Sequence, residues 1–429
     1  MLTSLRLTDF KSFRDQTVPL APLTVLVGAN ASGKSNFFDA VRFLQGVGLN
    51  YSISAILLGH REGGRTIWPG LRGGVAEAAR FGCDGFALQS VWDLTRDLEL
   101  NQWAGEPLGI IAEHDMECRI SGSARVTRER LSFPDLGTVL FDTENLDLWG
   151  NTGMTKGMTK GMTWMTNGHG TPGRNQAPGY EAQRSLLGRI ALGPPADLHR
   201  AVSDRVEILL GKMINSVLVN ITPSVMRDYR SISEVLGLGD EGEDISPVLW
   251  RFCRQPERKA DLIDWLSELC APRIVDIRFD ETRQGEIRFE LVEADGAVVS
   301  ARSLSDGTLR FLGLIATLLT VGQETAAMPL LLIEEIENGL HPTRLHLLVE
   351  LLEQVTKSGR VQVIATTHSP LLLQHLSHEA MGNAVVFGRI PDEPGTVARR
   401  LRDLRNFDEV AARRGVDRLF ATGWLERAL

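Results

Sequence analysis

Apolar and polar residues alternate at the start of the chain, with Leu5, Leu7 and Phe10 on one side, which predicts a short half-buried strand. Residues 23–27 are instead continuously apolar, the pattern of a strand buried on both faces, and they run straight into Gly28. A helix is predicted from residue 34 to about residue 45. Residues 52–150 are rich in Gly and Trp, and the runs at 86–92 and 109–120 read as strands joined by turns. From 181 to 270 the period becomes helical, as in Leu198, Val202, Val206 and Leu209, and again in Leu249, Phe252, Leu262, Trp265 and Leu269. These helices are too short for a long coiled coil. Residues 275–279, 286–292 and 297–301, separated by RQG and ADG turns, predict antiparallel strands.

Four segments carry candidate chemistry. Gly28-Ala29-Asn30-Ala31-Ser32-Gly33-Lys34-Ser35 fits GxxxxGK[ST] between a predicted strand and a predicted helix, the context of a phosphate-binding loop. Glycines let the backbone N–H groups turn inward, Lys34 places a charge between the β- and γ-phosphates, and the Ser35 hydroxyl can ligate Mg2+. Residues 330–333 form a fully apolar strand that ends in Glu334 and Glu335. Side chains alternate on a strand, so these two carboxylates are expected to point apart, Glu334 toward a metal or its waters and Glu335 toward an attacking water. Ser305, Asp306 and Gly307 precede an apolar helix at 309–319 and read either as an anion site or as a simple helix cap. A last apolar strand at 361–367 leads to His368, Ser369 and Pro370, placing a histidine at the carboxyl edge of a parallel sheet, where it could sense a γ-phosphate.

Composition narrows the class. With 429 residues, 43% of them apolar, the chain can bury a large core. Its net charge of −8 disfavours a protein coated in positive charge for non-specific nucleic-acid binding, while leaving room for a local basic groove. Cys83, Cys118, Cys253 and Cys270 lie far apart without zinc-ligand spacing, and are expected as reduced, mostly buried thiols. No signal-type segment and no apolar run of bilayer length is present, so a soluble cytoplasmic protein is expected. Residues 153–163 read GMTKGMTKGMT, a tandem repeat with nothing to fill a core, and a mobile loop is expected there.

In order, GANASGKS, LSDGT, LLLIEEIENGLHP and TTHSP resemble the ATP-binding-cassette heads of the RecF, SMC and OLD group of ATPases. The opening LRLTDFKSF followed by PLTVLVG is similar to their N-terminal strands. The resemblance covers about residues 1–45 and 300–375 and implies an α/β fold, an ABC-type P-loop NTPase head with mixed and parallel sheet, flanking helices and an inserted helical arm. The expected division is 1–150 for the first ATPase lobe with its β-rich part, 151–180 for the flexible loop, 181–270 for the arm, 271–395 for the second lobe and 396–429 for an Arg-rich tail. It further implies two heads sandwiching two ATP molecules with Mg2+, so that Ser305 and Gly307 would touch the γ-phosphate held by Lys34 of the partner chain. On the same grounds Glu334 is the metal-side carboxylate, Glu335 the catalytic base, His368 the switch histidine, and residues 337–341 the loop that crosses the dimer interface. Gln183 resembles the family's metal-side glutamine. Lys11 and Ser12 match a segment lying near the nucleotide in relatives, although an exposed turn explains them equally well. Two departures stand out: Glu334 replaces the commoner Asp, and Ile336 stands where relatives often have Pro.

Three activities remain open. The favoured one is an ATP-hydrolysing dimeric switch that couples nucleotide state to DNA or to a separately encoded effector, in bacterial anti-phage defence. A scaffold that uses ATP to assemble and hydrolyses it slowly or not at all is the second, and a RecF-like DNA-repair ATPase the third. A transporter subunit is disfavoured because the interval from Ser35 to Leu304 is too long and Thr308 replaces the usual Gln. The SMC-length coiled coil is missing, and no acidic cluster of an OLD nuclease comes after His368. The tail arginines, Arg399, Arg400, Arg402, Arg405, Arg413, Arg414 and Arg418, are interspersed with Asp403, Asp408, Glu409 and Asp417, which favours a solvated helical face over a nucleic-acid site.

Overall fold

Six strands form a central sheet in the order Ser216–Val219, Leu330–Ile333, Gln362–Thr367, Leu23–Val27, Val385–Gly388 and Val397–Arg400. The first five run parallel and the last is antiparallel to its neighbour. The computed structural model describes residues 1–100, 110–143, 183–190, 200–232, 237–239, 241–269, 272–320, 328–390 and 393–429; the tandem repeat, Leu198 and Cys270 lie outside them. Every position of Leu23–Val27, Leu330–Ile333 and Gln362–Thr367 is buried, because helices or a second sheet cover both faces. Among the polar residues buried there, Gln362 is satisfied: its amide nitrogen donates to the carbonyls of Leu2 (2.7 Å) and Ala21 (3.1 Å), and its oxygen accepts from the Leu2 N–H at 2.9 Å.

Strand register brings the chemistry-bearing residues together. Val27 pairs with Thr367 and Ile333 with Ala365, so the three central strands end nearly level. Residues just beyond those ends, Gly28, Glu334 and His368, therefore emerge on one edge of the sheet.

An antiparallel sheet of six strands makes up much of the N-terminal lobe, in the order Asp15–Pro19, Leu2–Thr8, Gly85–Asp93, Ile111–Arg119, Arg125–Phe133 and Thr138–Asp142. Gly85–Asp93 alternates strictly between buried and half-exposed positions, as a sheet with one face on the core requires. That face packs on the helix Lys34–Gly48 through edge-on pairs such as Phe43 with Phe86, 5.3 Å between ring centroids. Two short helices, Ile53–Leu58 and Thr95–Leu100, interrupt the strands expected between 52 and 150.

Within 181–270, expected as a helical arm, the described residues are only partly helical. Arg200–Ile214 lies against Lys34–Gly48, with Met213 and Leu209 in the N-terminal core. Ser216–Val219, directly after it, is an edge strand of the central sheet, paired with Leu330–Ile333. Four residues rich in β-branched side chains are too few to show a period, and only the neighbouring strand reveals their role. Helices Ile245–Phe252 and Pro256–Leu269 then pack on a four-stranded antiparallel sheet built from Arg230–Ser231, Ile274–Glu281, Glu286–Glu293 and Val298–Ser300. The tail folds back as helices Phe407–Arg414, Val416–Ala421 and Trp424–Arg427, burying Leu419 and Leu425, while Arg399, Arg405, Arg413, Arg414 and Arg418 stay exposed. Cys83, Cys118 and Cys253 are free thiols, and burial pushes the Cys118 thiol well up. Among the described residues, no helix is long and apolar enough to cross a membrane.

Candidate functional site

The edge defined by those three strand ends opens into a cleft of about 340 Å3. Asn30, Ala31, Ser32, Gly33, Lys34 and Ser35 line one side, and Glu334, Glu335 and His368 face them. The loop cannot carry larger residues at its turning points. A Cβ on Gly28, whose φ is 143°, would stand 2.1 Å from the Phe387 carbonyl oxygen; one on Gly33, at φ 112°, would stand 2.4 Å from Thr396 Oγ1. No side chain caps the helix that begins at Lys34, so its first N–H groups face the cleft, an arrangement suited to an anion.

Lys34 points into its own loop. Its Nζ donates to the carbonyls of Gly28 at 2.8 Å and Ala29 at 2.9 Å. Burial lowers its pKa to about 8, against the opposing pull of Glu426, Glu335 and Glu337.

The two carboxylates are arranged differently from the expectation. The strand stops at Ile333, so alternation no longer governs Glu334 and Glu335, and both border the same cleft. Glu335 adopts φ 46°, unusual for a residue with a side chain, and is held there by its N–H donating to Thr366 Oγ1 at 2.8 Å. The next residue, Ile336, donates its N–H to the Thr366 carbonyl at 3.0 Å. Proline lacks that donor, so the departure at Ile336 adds a bond that fixes the turn. Glu337 Oε1 accepts from the His368 N–H at 2.7 Å, linking the two sheet-end loops. Burial and Lys34 hold the His368 pKa below its ordinary value, with Glu337 and Glu335 opposing.

Glu334 has a partner that the sequence did not announce. Arg72 Nη1 lies 3.2 Å from Glu334 Oε1, while the same guanidinium reaches Asp39 and the Ser35 carbonyl. Its loop, residues 70–74, turns on Gly70, Gly73 and Gly74, all at positive φ. Asp39 is fully buried and is also held by Lys11 Nζ at 2.7 Å. Lys11 is therefore a buried ion-pair member rather than an exposed turn residue. Ser12 braces the loop from behind: its Oγ accepts from Asn36 Nδ2 at 2.9 Å and bonds the Thr396 hydroxyl at 2.8 Å, whose single proton goes to the Ser32 carbonyl at 2.9 Å. Ser35 and Glu334 offer oxygen donors that would fit Mg2+ completed by phosphate and water oxygens once Arg72 gives up the Glu334 carboxylate.

The family model described as "AAA domain, putative AbiEii toxin, Type IV TA system" matches residues 23–80 and 175–374, more than half of the chain. The chain belongs to this family. No curated protein matches it significantly. Among solved structures it is similar to an Smc head bound to the C-terminal winged-helix domain of ScpA, with 15% identity, TM-score 0.47, and 93% of this chain and 98% of that one covered. The SMC head domain from Thermotoga maritima gives 12% identity and TM-score 0.41, covering 93% and 98%. An Smc head with an extended coiled coil bound to the C-terminal domain of ScpA, from Pyrococcus furiosus, gives 13% and 0.45, covering 96% and 99%. The strand order, the phosphate loop and the family match together give a P-loop head of the AAA family.

In this AAA-family head the remaining sequence candidates lie apart from the cleft. Ser305 and Gly307 are not among its lining; they start the helix Asp306–Thr320, where Ser305 Oγ accepts from the Thr308 N–H at 3.1 Å. Gln183 is also elsewhere. Its carbonyl accepts from the Ile53 N–H at 2.7 Å, beyond the C-terminal end of Lys34–Gly48, a helix about 22 Å long by its 1.5 Å rise per residue. That placement does not bring Gln183 to Ser35 and Glu334. Residues at the cleft that carry no sequence expectation are Asn36, Thr366, Arg389 and, through Glu334, Arg72. Asn36 directly follows the phosphate-loop motif and Thr366 opens TTHSP; Arg389 and Arg72 carry no motif signal.

Proposed function

We propose that this chain binds and hydrolyses ATP as a head that closes on a second copy, and that the closed dimer passes its nucleotide state to a separately encoded effector in bacterial anti-phage defence. The observation that carries the reading is the level ending of three parallel strands, which gathers Lys34 and Ser35 with Glu334, Glu335 and His368 around one cleft. The family description, with its toxin and Type IV toxin–antitoxin wording, supports a defence role.

In this reading the backbone N–H groups of residues 30–35 cradle the phosphates and Lys34 exchanges its loop carbonyls for the β- and γ-oxygens. Ser35 and Glu334 hold Mg2+, which neutralises charge on the phosphates. Glu335, turned by Thr366, orients a water and takes its proton, and His368 reports on the γ-phosphate through its link to Glu337. Ser305 and Gly307 serve the site of the partner copy, consistent with their position outside their own cleft. The Arg72–Glu334 ion pair favours slow turnover as a second reading, because a cation must be moved from the metal-side carboxylate.

Turnover measured against protein concentration tests the proposal, with Lys34→Ala, Ser305→Arg and Glu335→Gln beside the parent and mass recorded with and without ATP. A rate that rises faster than linearly and is lost in all three variants is expected. ATP-driven assembly without turnover would move the assignment to a scaffold, and ATP-dependent, salt-sensitive binding to duplex DNA would move it to a repair ATPase.

A further inference from the structure

Arg227 belongs to the short turn Val225–Arg227, which packs on the helix Asp306–Thr320 rather than on the phosphate loop. Gly313 leaves a notch in that helix. A Cβ there would meet Ile221 Cδ1 at 2.9 Å and Met226 Cε at 3.2 Å, and Met226 is fully buried. Anchored in this way, the Arg227 guanidinium grips the turn ahead of the helix. Its Nη1 is 3.3 Å from the Ala301 carbonyl, 2.8 Å from that of Arg302 and 2.8 Å from that of Leu304, and its Nη2 is 2.5 Å from Asp306 Oδ1.

Asp306 sits between Ser305 and Gly307 with a side chain 74% exposed. A carboxylate in a first turn favours the helix but opposes an arriving phosphate by the same electrostatics. One cation here serves two ends: it shapes the 301–306 turn and cancels the Asp306 charge.

We infer that Arg227 is a positioning residue of the composite ATP site, holding the turn and neutralising Asp306 so that Ser305 and Gly307 can receive the triphosphate carried by a second copy; this rests on the proposed dimeric function. Arg227 touches no phosphate itself, and it arises from the span between the edge strand Ser216–Val219 and the small antiparallel sheet.

The test uses the full chain with Glu335→Gln as parent, reading fluorescent-ATP affinity and ATP-dependent dimerisation by analytical ultracentrifugation. Arg227→Ala should leave nucleotide affinity within about twofold, which also shows that the variant folds, and weaken dimerisation by at least about tenfold. Adding Asp306→Asn to Arg227→Ala should recover a clear part of that loss, a rescue that a merely structural arginine would not give. Dimerisation equal to the parent in Arg227→Ala, or no rescue in the double variant, overturns the inference while leaving the dimeric reading intact. A parent that does not assemble with ATP removes both.

Discussion

Gly307 and Gly339 meet backbone to backbone: a Cβ on Gly307 would stand 2.5 Å from the Gly339 carbonyl oxygen, and one on Gly339 would stand 3.1 Å from the Gly307 Cα. Gly307 opens the helix of the anion-type turn, whereas Gly339 belongs to the loop that comes after Glu335 and Glu337. A displacement of either turn is therefore felt by the other within a single chain. Gly307→Ala should push the 337–341 loop aside at a stability cost of about 1–3 kcal/mol and reduce ATP turnover by at least about tenfold. Thermal unfolding and steady-state turnover measured on one preparation check both halves.

The Lys34 ammonium titrates near pH 8 rather than in the usual lysine range, because burial disfavours its charged form. Phosphate binding requires the charge, so ATP should bind with proton uptake around that pH, and affinity should weaken as pH rises through about 8. The stability effect has the opposite sense: the unfolded chain keeps its proton up to the ordinary lysine value of 10.5, so the cost of burying a charged Lys34 is full below about 8 and is relieved as pH rises between the two. Calorimetry in buffers of different ionisation enthalpy measures the uptake, which Lys34→Ala should abolish.

Arg72 competes with any metal for Glu334, at 3.2 Å. Removing that cation in Arg72→Ala should lower the Mg2+ concentration that half-saturates ATP binding by about threefold or more, by simple Coulomb relief. Mn2+ binding followed by electron paramagnetic resonance gives an independent readout. A higher metal requirement in the variant would instead mean that Arg72 contributes directly to holding phosphate.

Glu129 is a fully buried carboxylate that accepts from Ser185 Oγ at 2.6 Å, the Leu186 N–H at 2.6 Å, the Leu187 N–H at 3.3 Å and His114 Nε2 at 2.9 Å. It docks the 183–190 segment against the N-terminal lobe. Glu129→Gln turns one acceptor into a donor facing donors, and should destabilise the fold by about 2–4 kcal/mol, read from denaturant unfolding.

What the sequence shows plainly is whatever local pattern decides alone. The run 23–27 is a strand at those very bounds, and Gly28 to Ser35 form the expected loop, because a doubly buried strand and a glycine turn each carry their cause within a few residues. The helix predicted to about residue 45 extends to Gly48, where glycine propensity yields to packing: Gly48 lies against Met213. Ser216–Val219 and Arg72 were illegible for the opposite reason. One is made a strand by Leu330–Ile333, more than a hundred residues later, and the other is made a site residue by a glycine loop that sets it beside Glu334. Glu334 and Glu335 are given opposite faces by a rule that holds only while the strand lasts, and it ends one residue earlier.

Ser12, Ser32 and Thr396 meet through a pair of short hydrogen bonds, 2.8 Å and 2.9 Å, although Thr396 is separated from Ser12 by 384 positions. The same holds for the strand Leu23–Val27, whose two neighbours, Gln362–Thr367 and Val385–Gly388, are among the last to be synthesised. Such non-local closure is slow and cannot begin until its distant half exists. On the ribosome, Leu23–Val27 emerges long before its two partners and must wait for most of translation to pair with them. Nucleotide binding is then a property of the finished polypeptide.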